Sequence, residues 1–575
     1  MKIETVRIKN YRAFADAKCY LNRDINFIIG RNSIGKTSFI DLLETLFSRN
    51  NFNEGDFNDV GKSIEVQVTL RLDEEELGFF DDIFSPDDYT KVDLLFSQKD
   101  PSSEIEIYNP QTSTSISRSR IKNINYIKYT SNRKSVRDNE LTLSKRRFLL
   151  IPRLIDTYLN DQGQKSRLNI DEDLIKYVNK KLRYIKSFRD NDIKLELADD
   201  VSKILKRMVT LTDSNGIEFS NLGYGVQFAS LFSLELLDNI EKILKYSPDK
   251  KVLSVNGKRI LKLIVSVDEP ELHLHPNMQK KTIRDIKDIV EGNDNEFNKL
   301  VKLLFNIDAL DGQLIIVTHS PNILSADYRY ICRAYQAKNG GTDFACGSRI
   351  SFDEKVAKEL IAELAEVKEV MFADKVMLCE GQTEQTAIPV FAEKLNKDLL
   401  SENVNIMAVH GKDNLGKFIT IFNELKVKNW AVIDKDDNNN NKQKYTKNKN
   451  LLFTNERDFE EECFKVMNLD NMIDFFIEFN QYKGTCNNRM NAFWIGFLSE
   501  RGKNILTKTG DLKQLSNFMN AEEKQNLRNE IKSRFMSKYM KAKSTITGKL
   551  IAKNVNEVPA VYQNLIEKVF SKDGE

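Results

Sequence analysis

A glycine-rich segment near the start of the chain has the spacing of a phosphate-binding loop. It reads Gly-Arg-Asn-Ser-Ile-Gly-Lys-Thr from residue 30 and matches the pattern G-x-x-x-x-G-K-[ST]. In this pattern backbone N–H groups surround phosphate oxygens, the Lys36 side chain reaches the β- and γ-phosphates, and the Thr37 hydroxyl ligates magnesium. We therefore predict that the chain binds ATP and Mg²⁺ here, through Gly30, Asn32, Gly35, Lys36, Thr37 and Ser38.

Two apolar segments farther along the chain end in residues that suit nucleotide hydrolysis. Leu-Ile-Val-Ser-Val is followed by Asp268 and Glu269, and Leu-Ile-Ile-Val-Thr is followed by His319. Asp268 is predicted to join the magnesium shell and Glu269 to polarise the attacking water. His319 is predicted to contact the γ-phosphate. We interpret His273 and His275, just after the acidic pair, as structural residues and not as metal ligands.

A second group of acidic residues lies in the C-terminal part of the chain. One apolar run ends at Glu380-Gly381 and is followed by Glu384, and another ends at Asp434-Lys-Asp436. Gly381 permits a tight turn, and Glu384 returns to the same face one helical turn later. Carboxylates that converge at one sheet edge repel each other unless cations neutralise them, and ligation by oxygen alone selects Mg²⁺ or Mn²⁺. Two ions about 3.5–4 Å apart at such a site promote phosphodiester hydrolysis.

Apolar periodicity predicts the elements that must position these residues. In the N-terminal part we expect strands at 25–29, 64–72, 263–267 and 314–317, and a helix at 38–47 directly after the phosphate-binding loop. From residue 375 onward the order strand, helix, strand, helix, strand predicts a parallel sheet. Its strands are expected at 375–379, 404–409 and 430–433 and its helices at 383–395 and 415–425.

Composition divides the chain further. Residues 121–209 are rich in Lys and Arg, with helical periodicity and little Gly or Pro, which predicts a helical insert. Residues 531–556 contain seven Lys or Arg and no Asp or Glu. This segment is either a solvated helix face or a surface that follows a phosphate backbone. We place the boundary between two domains near residue 370, giving domains at 1–370 and 371–575.

Bulk composition favours a folded, cytoplasmic protein. The 575 residues are 41% hydrophobic and 30% charged, with a formal net charge of +2. No apolar run approaches the roughly 18 residues of a membrane span, and the N-terminus lacks the apolar segment of a secretory signal. The six cysteines are scattered without a C-x-x-C pair, which argues against a zinc site or a disulfide framework and fits a reducing compartment.

The nucleotide-binding motifs resemble the ABC-type ATPase head, and specifically the branch that includes the RecF and SMC DNA-repair proteins. In this resemblance Asp268 and Glu269 form the Walker B pair and His319 is the switch histidine. The segment Ser-Asn-Leu-Gly-Tyr-Gly-Val-Gln, which ends at Gln227, takes the place of the signature motif. It departs from the usual Leu-Ser-Gly-Gly-Gln, which puts the strength of ATP-driven head dimerisation in doubt.

The Glu-Gly strand followed by D-x-D resembles the Toprim domain of topoisomerases, primases and some nucleases. In the nuclease branch, the resemblance implies that Asp458 and Glu460 complete a second metal site and that Glu384 is an additional ligand. It also implies a lysine near the scissile phosphate, for which Lys549 is the best match and Lys543 the alternative. The metal ligands predicted at this site and at the phosphate-binding loop are Glu380, Glu384, Asp434, Asp436, Asp458, Glu460 and Thr37. Glu380, Asp434, Asp436 and Lys549, with Glu269 in the ATPase part, are predicted to be catalytic.

The order of the two parts resembles the OLD (overcoming lysogenization defect) family, with the layout of the Gabija-type anti-phage nuclease subunit. The resemblance implies an α/β protein: an ABC-type ATPase head with a helical insert that mediates dimers or tetramers, then a Toprim-like parallel α/β domain with a helical C-terminal region. It also implies a metal-dependent endonuclease or nickase that acts on double-stranded DNA, is regulated by nucleotide and has a helicase-like partner.

The alternative function is an ATP-driven, DNA-bound repair mediator or clamp whose acidic cluster is structural. The number of acids at strand ends, with no arginine paired to them in the sequence pattern, favours the nuclease.

Overall fold

The computed structural model of the protein describes most of the chain. The described residues are 1–77, 80, 88–130, 154, 172–197, 209–245, 251–325, 327–338, 340–364, 368–435, 450–482, 500, 503–504, 507, 516–539 and 545–571. The chain divides into two compact units, Met1–Lys368 and Glu369–Glu575. Every helix within the described ranges is too short or too polar to span a membrane.

The first unit is a mixed α/β structure. Its strands are β1 (Lys2–Tyr11), β2 (Phe14–Tyr20), β3 (Ile25–Ile29), β4 (Ile64–Arg71), β5 (Lys91–Gln98), β6 (Glu106–Tyr108), β7 (Tyr126–Thr130), β8 (Lys194–Leu197), β9 (Val209–Thr212), β10 (Val252–Val255), β11 (Lys258–Asp268), β12 (Ala309–Val317), β13 (Ile331–Gln336) and β14 (Thr342–Cys346). Its helices are α1 (Lys36–Ser48), α2 (Arg118–Ile121), α3 (Glu172–Leu182), α4 (Lys186–Asp190), α5 (Tyr224–Lys245), α6 (Pro276–Val290), α7 (Asn295–Phe305) and α8 (Glu354–Leu364).

Two large sheets form the frame of this unit. One is antiparallel in the order β2-β1-β4-β5-β6, and the other has the order β10-β11-β12-β3-β13-β14, with β7 also pairing with β11. Strands β7, β11, β12, β3 and β13 are parallel to their neighbours in this second sheet. The carboxyl ends of β3, β12 and β11 therefore lie side by side, which is where open α/β sheets bind ligands.

Burial patterns follow from the position of each strand. All five residues of β3 are buried, as expected for a parallel strand covered on both faces. In β4 the buried residues alternate with partly exposed ones, as expected for a strand with one face on the core. The apolar face of α1 joins both sheets in one hydrophobic core, to which Phe39, Leu43 and Leu46 contribute.

The predicted helical insert differs from the structure at its beginning. Residues 126–130 lie in the region predicted to be helical, but they form β7, which pairs in parallel with β11 in the ATPase sheet. The aromatic and β-branched residues Tyr126, Ile127, Tyr129 and Thr130 favour a strand, and pairing with β11 outweighs the helical periodicity. Farther on, α3 and α4 are helical, whereas β8 and β9 form a two-stranded sheet. Residues 131–153, 155–171 and 198–208 of the insert lie outside the described residues.

The second unit is built on a four-stranded sheet. Its strands are β15 (Lys375–Cys379), β16 (Val404–Ala408), β17 (Lys428–Ile433) and β18 (Leu451–Phe453). They are all parallel, in the order β16-β15-β17-β18, which confirms the predicted parallel sheet. The helices are α9 (Gln382–Lys394), α10 (Lys412–Glu424), α11 (Phe459–Lys465), α12 (Leu469–Tyr482), α13 (Ala521–Tyr539), α14 (Thr545–Asn554) and α15 (Ala560–Phe570).

The C-terminal helices belong to the core of this second unit. Helix α14 packs closely on α9, and α15 contacts β17 and β18. Phe391 of α9, Phe459 of α11 and Tyr562 of α15 form an aromatic group, with ring centroids 5.4–6.4 Å apart. The helices that end the chain therefore help to position the elements that carry the acidic residues.

Candidate functional site

The phosphate-binding loop connects β3 to α1 and requires glycine at two positions. Gly30 has a φ of 144°, and a Cβ atom there would lie 2.5 Å from the carbonyl oxygen of Ala334. Gly35, the residue before α1, has a φ of 106°. Side chains rarely adopt either conformation. The glycines of the motif are thus explained by close backbone approach and by the turn into the helix.

Lys36 points into this loop. Its Nζ donates hydrogen bonds to the carbonyl oxygens of Gly30, at 2.9 Å, and Arg31, at 2.7 Å. Burial lowers the pKa of Lys36 to about 8, although Glu269 and Asp268 oppose the shift. Asn32 and Thr37 are exposed, and Ser38 is partly exposed. The loop thus presents a lysine, two hydroxyl groups and the N-terminus of α1, which are the groups that bind a nucleoside triphosphate.

Asp268 ends β11 beside the loop. Its Oδ1 lies 3.4 Å from the hydroxyl of Thr37, so the two predicted magnesium ligands are neighbours although they are far apart in the chain. Burial raises the pKa of Asp268 to about 6. A divalent cation between these oxygens would stabilise the charged carboxylate. The donor set therefore fits Mg²⁺.

Glu269 and His319 are also brought together. Nε2 of His319 lies 3.5 Å from Oε1 of Glu269, and burial together with the charge of Lys36 lowers the pKa of His319. Glu269 has a φ of 47°, a left-handed conformation that costs energy for a side chain other than glycine and that often occurs at functional sites. A neutral histidine and a carboxylate thus face the end of the phosphate-binding loop.

Two residues that support this site, Glu271 and Arg12, were not predicted from the sequence. Glu271 accepts hydrogen bonds from the Thr318 hydroxyl, at 2.9 Å, and from the backbone N–H of His319, at 2.6 Å. Arg12 lies 3.4 Å from the Ser38 hydroxyl and 2.6 Å from Asp41. The Asp-Glu-Pro-Glu run contained a signal for Glu271, because a third acid follows the Walker B pair, but its partners come from another strand.

The segment in the place of the signature motif lies at the start of α5. Gln227 is buried, and its Nε2 donates to the carbonyl oxygen of Leu222 at 2.7 Å. A Cβ atom on Gly225 would lie 3.2 Å from Met278 and 3.3 Å from Leu274. This segment therefore packs against residues that follow Walker B. His273 and His275 are exposed, and His275 is the N-cap residue of α6.

In the second unit, the predicted acids lie at the ends of adjacent strands. Glu380 follows β15 and Asp434 follows β17, and these strands pair in parallel with Cys379 opposite Val432. Glu384 lies in the first turn of α9 and is 2% exposed, while Asp434 is 6% exposed. A Cβ atom on Gly381 would be 3.3 Å from a carboxylate oxygen of Glu384. The turn thus brings a carboxylate oxygen of Glu384 close to Gly381.

The charges of these acids contribute to the raised pKa values of two buried groups, Tyr562 and Cys463. Burial, followed by the charges of Glu384 and Asp434, raises the pKa of Tyr562. Burial, followed by charges that include Glu460, Glu384 and Asp434, raises the pKa of Cys463. Carboxylates from three separate segments therefore act on Cys463, and two of them also act on Tyr562, which means that they share one region of the unit.

Lys412 was not predicted and lies among these acids. Its Nζ donates to the carbonyl oxygen of Asp434 at 2.8 Å and lies 3.6 Å from Oε2 of Glu380. That Glu380 oxygen is buried and accepts no hydrogen bond from a described residue. The sequence signal was weak, since Lys412 is one of many lysines and begins an ordinary helix. The turn from β16 into α10 gives it this position.

Asp458 and Glu460 differ in their surroundings. Asp458 is the N-cap of α11, where it accepts from the backbone N–H of Glu461 at 2.9 Å and pairs with Arg457 at 3.0 Å. The expectation that no arginine is paired with these acids is therefore wrong for Asp458. Glu460 is 4% exposed and lies among the charges that act on Cys463. Of the two, Glu460 is the one whose charge acts on a buried group that Glu384 and Asp434 also affect.

The described carboxylates of this site do not form a compact set of metal ligands. Within the described ranges, no three acidic side chains have oxygen atoms that all lie within 4.8 Å of one another. Repulsion between like charges keeps carboxylates apart, and Lys412 lies close to Glu380. Asp436 and Lys543 lie outside the described residues. The donors are oxygen atoms, and one buried Glu380 oxygen lacks a hydrogen bond. The chemistry of the site therefore fits Mg²⁺ or Mn²⁺.

Lys549 follows Gly548, a residue of α14 that packs against the first turn of α9. A Cβ atom on Gly548 would lie 1.9 Å from the carbonyl oxygen of Thr383, which precedes Glu384 in the first turn of α9. The side chain of Lys549 is exposed. Close packing of α14 on α9 thus brings the residue next to Lys549 against the turn that carries Glu384.

These features define a class of protein: an ATP-binding head of the P-loop type, followed on the same chain by a Toprim-like domain with a carboxylate site. Two family models match the chain. One is described as "AAA domain, putative AbiEii toxin, Type IV TA system" and matches residues 25–325. The other is described as "Overcoming lysogenization defect protein-like, TOPRIM domain" and matches residues 371–436. Domains of these two kinds use nucleotide and divalent metal.

The chain is also similar to curated proteins. It is 26% identical to the Old nuclease of Escherichia phage P2 over 342 residues, which cover 56% of this chain and 50% of that protein. It is 24% identical to the endonuclease GajA of Bacillus cereus (strain HuB5-5) over 361 residues, which cover 54% of this chain and 48% of that protein. The chain thus spans about half the length of the curated relatives that it matches.

A likeness to a solved structure is weaker. An SMC head bound to the C-terminal winged-helix domain of ScpA aligns with a TM-score of 0.36 and 12% identity, covering 62% of this chain and 100% of that chain. The AAA-domain model matches more than half of the chain, so the chain belongs to that AAA-domain family. It also carries an OLD-like Toprim domain, which confirms the predicted resemblance to the OLD family.

Proposed function

We propose that this protein is a metal-dependent DNA endonuclease or nickase, with the Toprim-like domain as its cutting site. The observation that carries the proposal is the set of carboxylates at the carboxyl ends of two adjacent parallel strands, of which Glu384 and Asp434 are buried and Glu380 is partly exposed. Buried acids in this number are costly without cations. The names of the relatives, a nuclease and an endonuclease, agree with this assignment.

The metal ligands that we propose are Glu380, Glu384, Asp434 and Glu460. Asp436 and then Asp458 are further candidates. Bound Mg²⁺ or Mn²⁺ would supply a Lewis acid that activates water and stabilises the leaving oxygen. Lys412 holds the backbone at Asp434 and lies beside Glu380, so it orients both strand ends. Lys549, on the exposed side of α14, is proposed to contact the phosphate of the cleaved strand.

We propose that the nucleotide site regulates cutting. In this proposal Lys36, Thr37, Asp268 and His319 bind ATP with Mg²⁺ and Glu269 polarises water, which the closeness of Thr37 to Asp268 and of His319 to Glu269 supports. The segment that ends at Gln227 lacks the usual signature sequence, which supports control by binding more than rapid turnover. By the same family reasoning we propose a cytoplasmic homo-oligomer, a dimer or tetramer, that acts in anti-phage defence with a helicase-like partner.

A repair mediator or clamp without nuclease activity is the second candidate. Asp458 and Glu462 favour it, because both are already used within the fold. Glu462 accepts hydrogen bonds from the backbone N–H groups of Asn455, at 2.9 Å, and Glu456, at 2.7 Å. Part of the acidic cluster is therefore structural, and the nuclease proposal depends on Glu380, Glu384, Asp434 and Glu460.

Cleavage of supercoiled plasmid DNA by the purified chain separates the two candidates. With Mg²⁺ or Mn²⁺ present, we expect Glu380→Gln and Asp434→Asn to reduce the cleavage rate by about 10³-fold, because each removes a metal ligand. Glu424→Gln, an exposed acid at the far end of α10, is the matched control and should cut like the wild type. If the two site variants cut as fast as the wild type, the Toprim assignment is wrong.

A further inference from the structure

Three cysteines that are far apart in the chain meet in the first unit. Cys19 lies on β2, Cys332 on β13 and Cys346 on β14, and their sulfur atoms all lie within 4.8 Å of one another. Cys19 and Cys332 are 0% exposed and Cys346 is 6% exposed. All three are free thiols. The described part of the chain contains no other group of three Cys, His, Asp or Glu side chains as close as this.

The sheet topology explains why they meet. Cys332 and Cys346 are direct partners in the antiparallel pair β13–β14, so their side chains share one face of the sheet. Strand β2 of the other sheet packs against β14 and contributes Cys19. The scattered positions of the cysteines argued against a zinc site, but residues on three different strands converge without any C-x-x-C spacing.

Polar backbone groups also face the sulfur atoms. The Cys332 thiol donates to the carbonyl oxygen of Tyr20 at 3.2 Å, and the backbone N–H of Tyr20 donates to Sγ of Cys346 at 3.2 Å. The Ser348 hydroxyl lies 3.4 Å from the same carbonyl oxygen. The Tyr20 carbonyl oxygen thus lies beside the sulfur cluster and the Ser348 hydroxyl lies beside that oxygen, so a fourth ligand is available from the chain itself.

The distances suit a thiolate-bound metal ion. The sulfur atoms of Cys19 and Cys346 are 4.0 Å apart. In a tetrahedral site with Zn–S bonds of about 2.3 Å, two sulfur ligands are about 3.8 Å apart. Thiolates select soft or borderline cations, and three sulfurs with one oxygen complete the shell of Zn²⁺. We propose that Cys19, Cys332 and Cys346 form a Zn²⁺ site, with the Tyr20 carbonyl or the Ser348 hydroxyl as fourth ligand.

The electrostatic surroundings agree with this site. Three thiolates and Zn²⁺ carry one negative charge in total. Lys18 and Arg349 each lie 4.8 Å from the centre of the Tyr20 ring, so two cations lie on the surface next to the cluster.

The ion would join strands that support the phosphate-binding loop. Cys332 pairs with Ile28 of β3, two residues before Gly30, and the carbonyl oxygen of Ala334 lies against Gly30. A metal held by β2, β13 and β14 would therefore fix the antiparallel sheet to the strand beside the loop. Its role is to stabilise the first unit, and it is independent of DNA cutting in the second unit.

The test is metal binding by the full chain, purified under reducing conditions. Cobalt loading of the wild type requires no substitution and should give about one equivalent of tightly held Co²⁺ with an intense thiolate-to-metal charge-transfer band, in excess Mg²⁺. Oxygen ligands alone do not give this band, so the Toprim site cannot produce it. Zn²⁺ should displace the cobalt and raise the thermal unfolding midpoint. A wild-type chain without the band overturns the proposal.

Two variants locate the site. Cys346→Ser should lose the charge-transfer band and weaken Zn²⁺ binding at least tenfold, as measured by competition with a chromophoric chelator. Cys463→Ser changes another fully buried free cysteine. It should retain the charge-transfer band and the Zn²⁺ affinity of the wild type. If Cys346→Ser binds Zn²⁺ as tightly as the wild type, or if Cys463→Ser loses the band, the assignment to this cluster is wrong.

Discussion

The two candidate sites of this chain are built from different parts of the polypeptide. At the nucleotide site the main groups belong to one short loop, where the backbone itself binds phosphate and Lys36 is held by two carbonyl oxygens. At the Toprim-like site the groups are carboxylates from three segments, most of them buried, with Lys412 beside Glu380. A loop of this kind is organised by its own sequence, whereas separated acids depend on packing and on cations.

This comparison predicts that the two sites can be disabled separately. Lys36→Ala should weaken nucleotide binding by about 10³-fold, because it removes charge-assisted hydrogen bonds to two phosphates. Plasmid cleavage in the absence of nucleotide should be unchanged. Isothermal titration with a non-hydrolysable ATP analogue measures the first effect, and Lys258→Ala, an exposed lysine of the same unit, is the control. Loss of nucleotide-free cleavage in Lys36→Ala would show that the sites are not separable.

The packing of α14 on α9 offers a way to damage only the second site. In Gly548→Ala the new methyl group would meet the carbonyl oxygen of Thr383 at 1.9 Å, and overpacking of this kind costs about 1–3 kcal/mol. We expect a lower thermal midpoint and slower cleavage, with unchanged nucleotide affinity. Gly55→Ala, whose methyl group would meet nothing within 4 Å, should behave like the wild type. Normal cleavage by Gly548→Ala would contradict a role for this contact in the site.

Substitution of Lys412 tests whether a cation stabilises the acids of the Toprim-like site. Lys412→Met should lower the free energy of unfolding by about 1–2 kcal/mol in the absence of divalent metal, because Glu380 loses its nearest positive charge. Added Mg²⁺ or Mn²⁺ should recover most of this loss. Thermal unfolding with and without metal measures the difference, and Lys428→Met provides an exposed-lysine control on β17. A loss that metal does not recover would mean that Lys412 acts only through packing.

The smallest expected effect is the pH dependence of nucleotide binding. Lys36, with a pKa of about 8, must be charged to attract phosphate, so affinity should fall by up to tenfold per pH unit above about 8. Asp268, with a pKa of about 6, must be ionised to ligate Mg²⁺, so affinity for the magnesium complex should also fall below about pH 6. Omitting Mg²⁺ should remove only the acidic limb. A flat profile from pH 5 to 9 would exclude both groups as determinants.

The fold was predictable where periodicity and spacing act locally. Strand β3, helix α1 and the β15–α9–β16–α10–β17 order follow from apolar patterns within a few residues of each motif. The prediction was wrong at 126–130: this segment lies inside a helical pattern, but it forms a strand because it pairs with β11. It also missed Arg12, Glu271 and Lys412, because each matters through partners from another segment.

By itself, the sequence determined the phosphate-binding loop, the two strand-end motifs that accompany it and the acids of the Toprim-like strand ends. In each case the chemistry lies within a few consecutive residues, where spacing fixes geometry. Only the tertiary structure decided which of these acids are buried and that Lys412 lies beside Glu380. It also brought together Cys19, Cys332 and Cys346, which are separated by up to 327 residues. Such contacts depend on sheet order and packing, which no local pattern encodes.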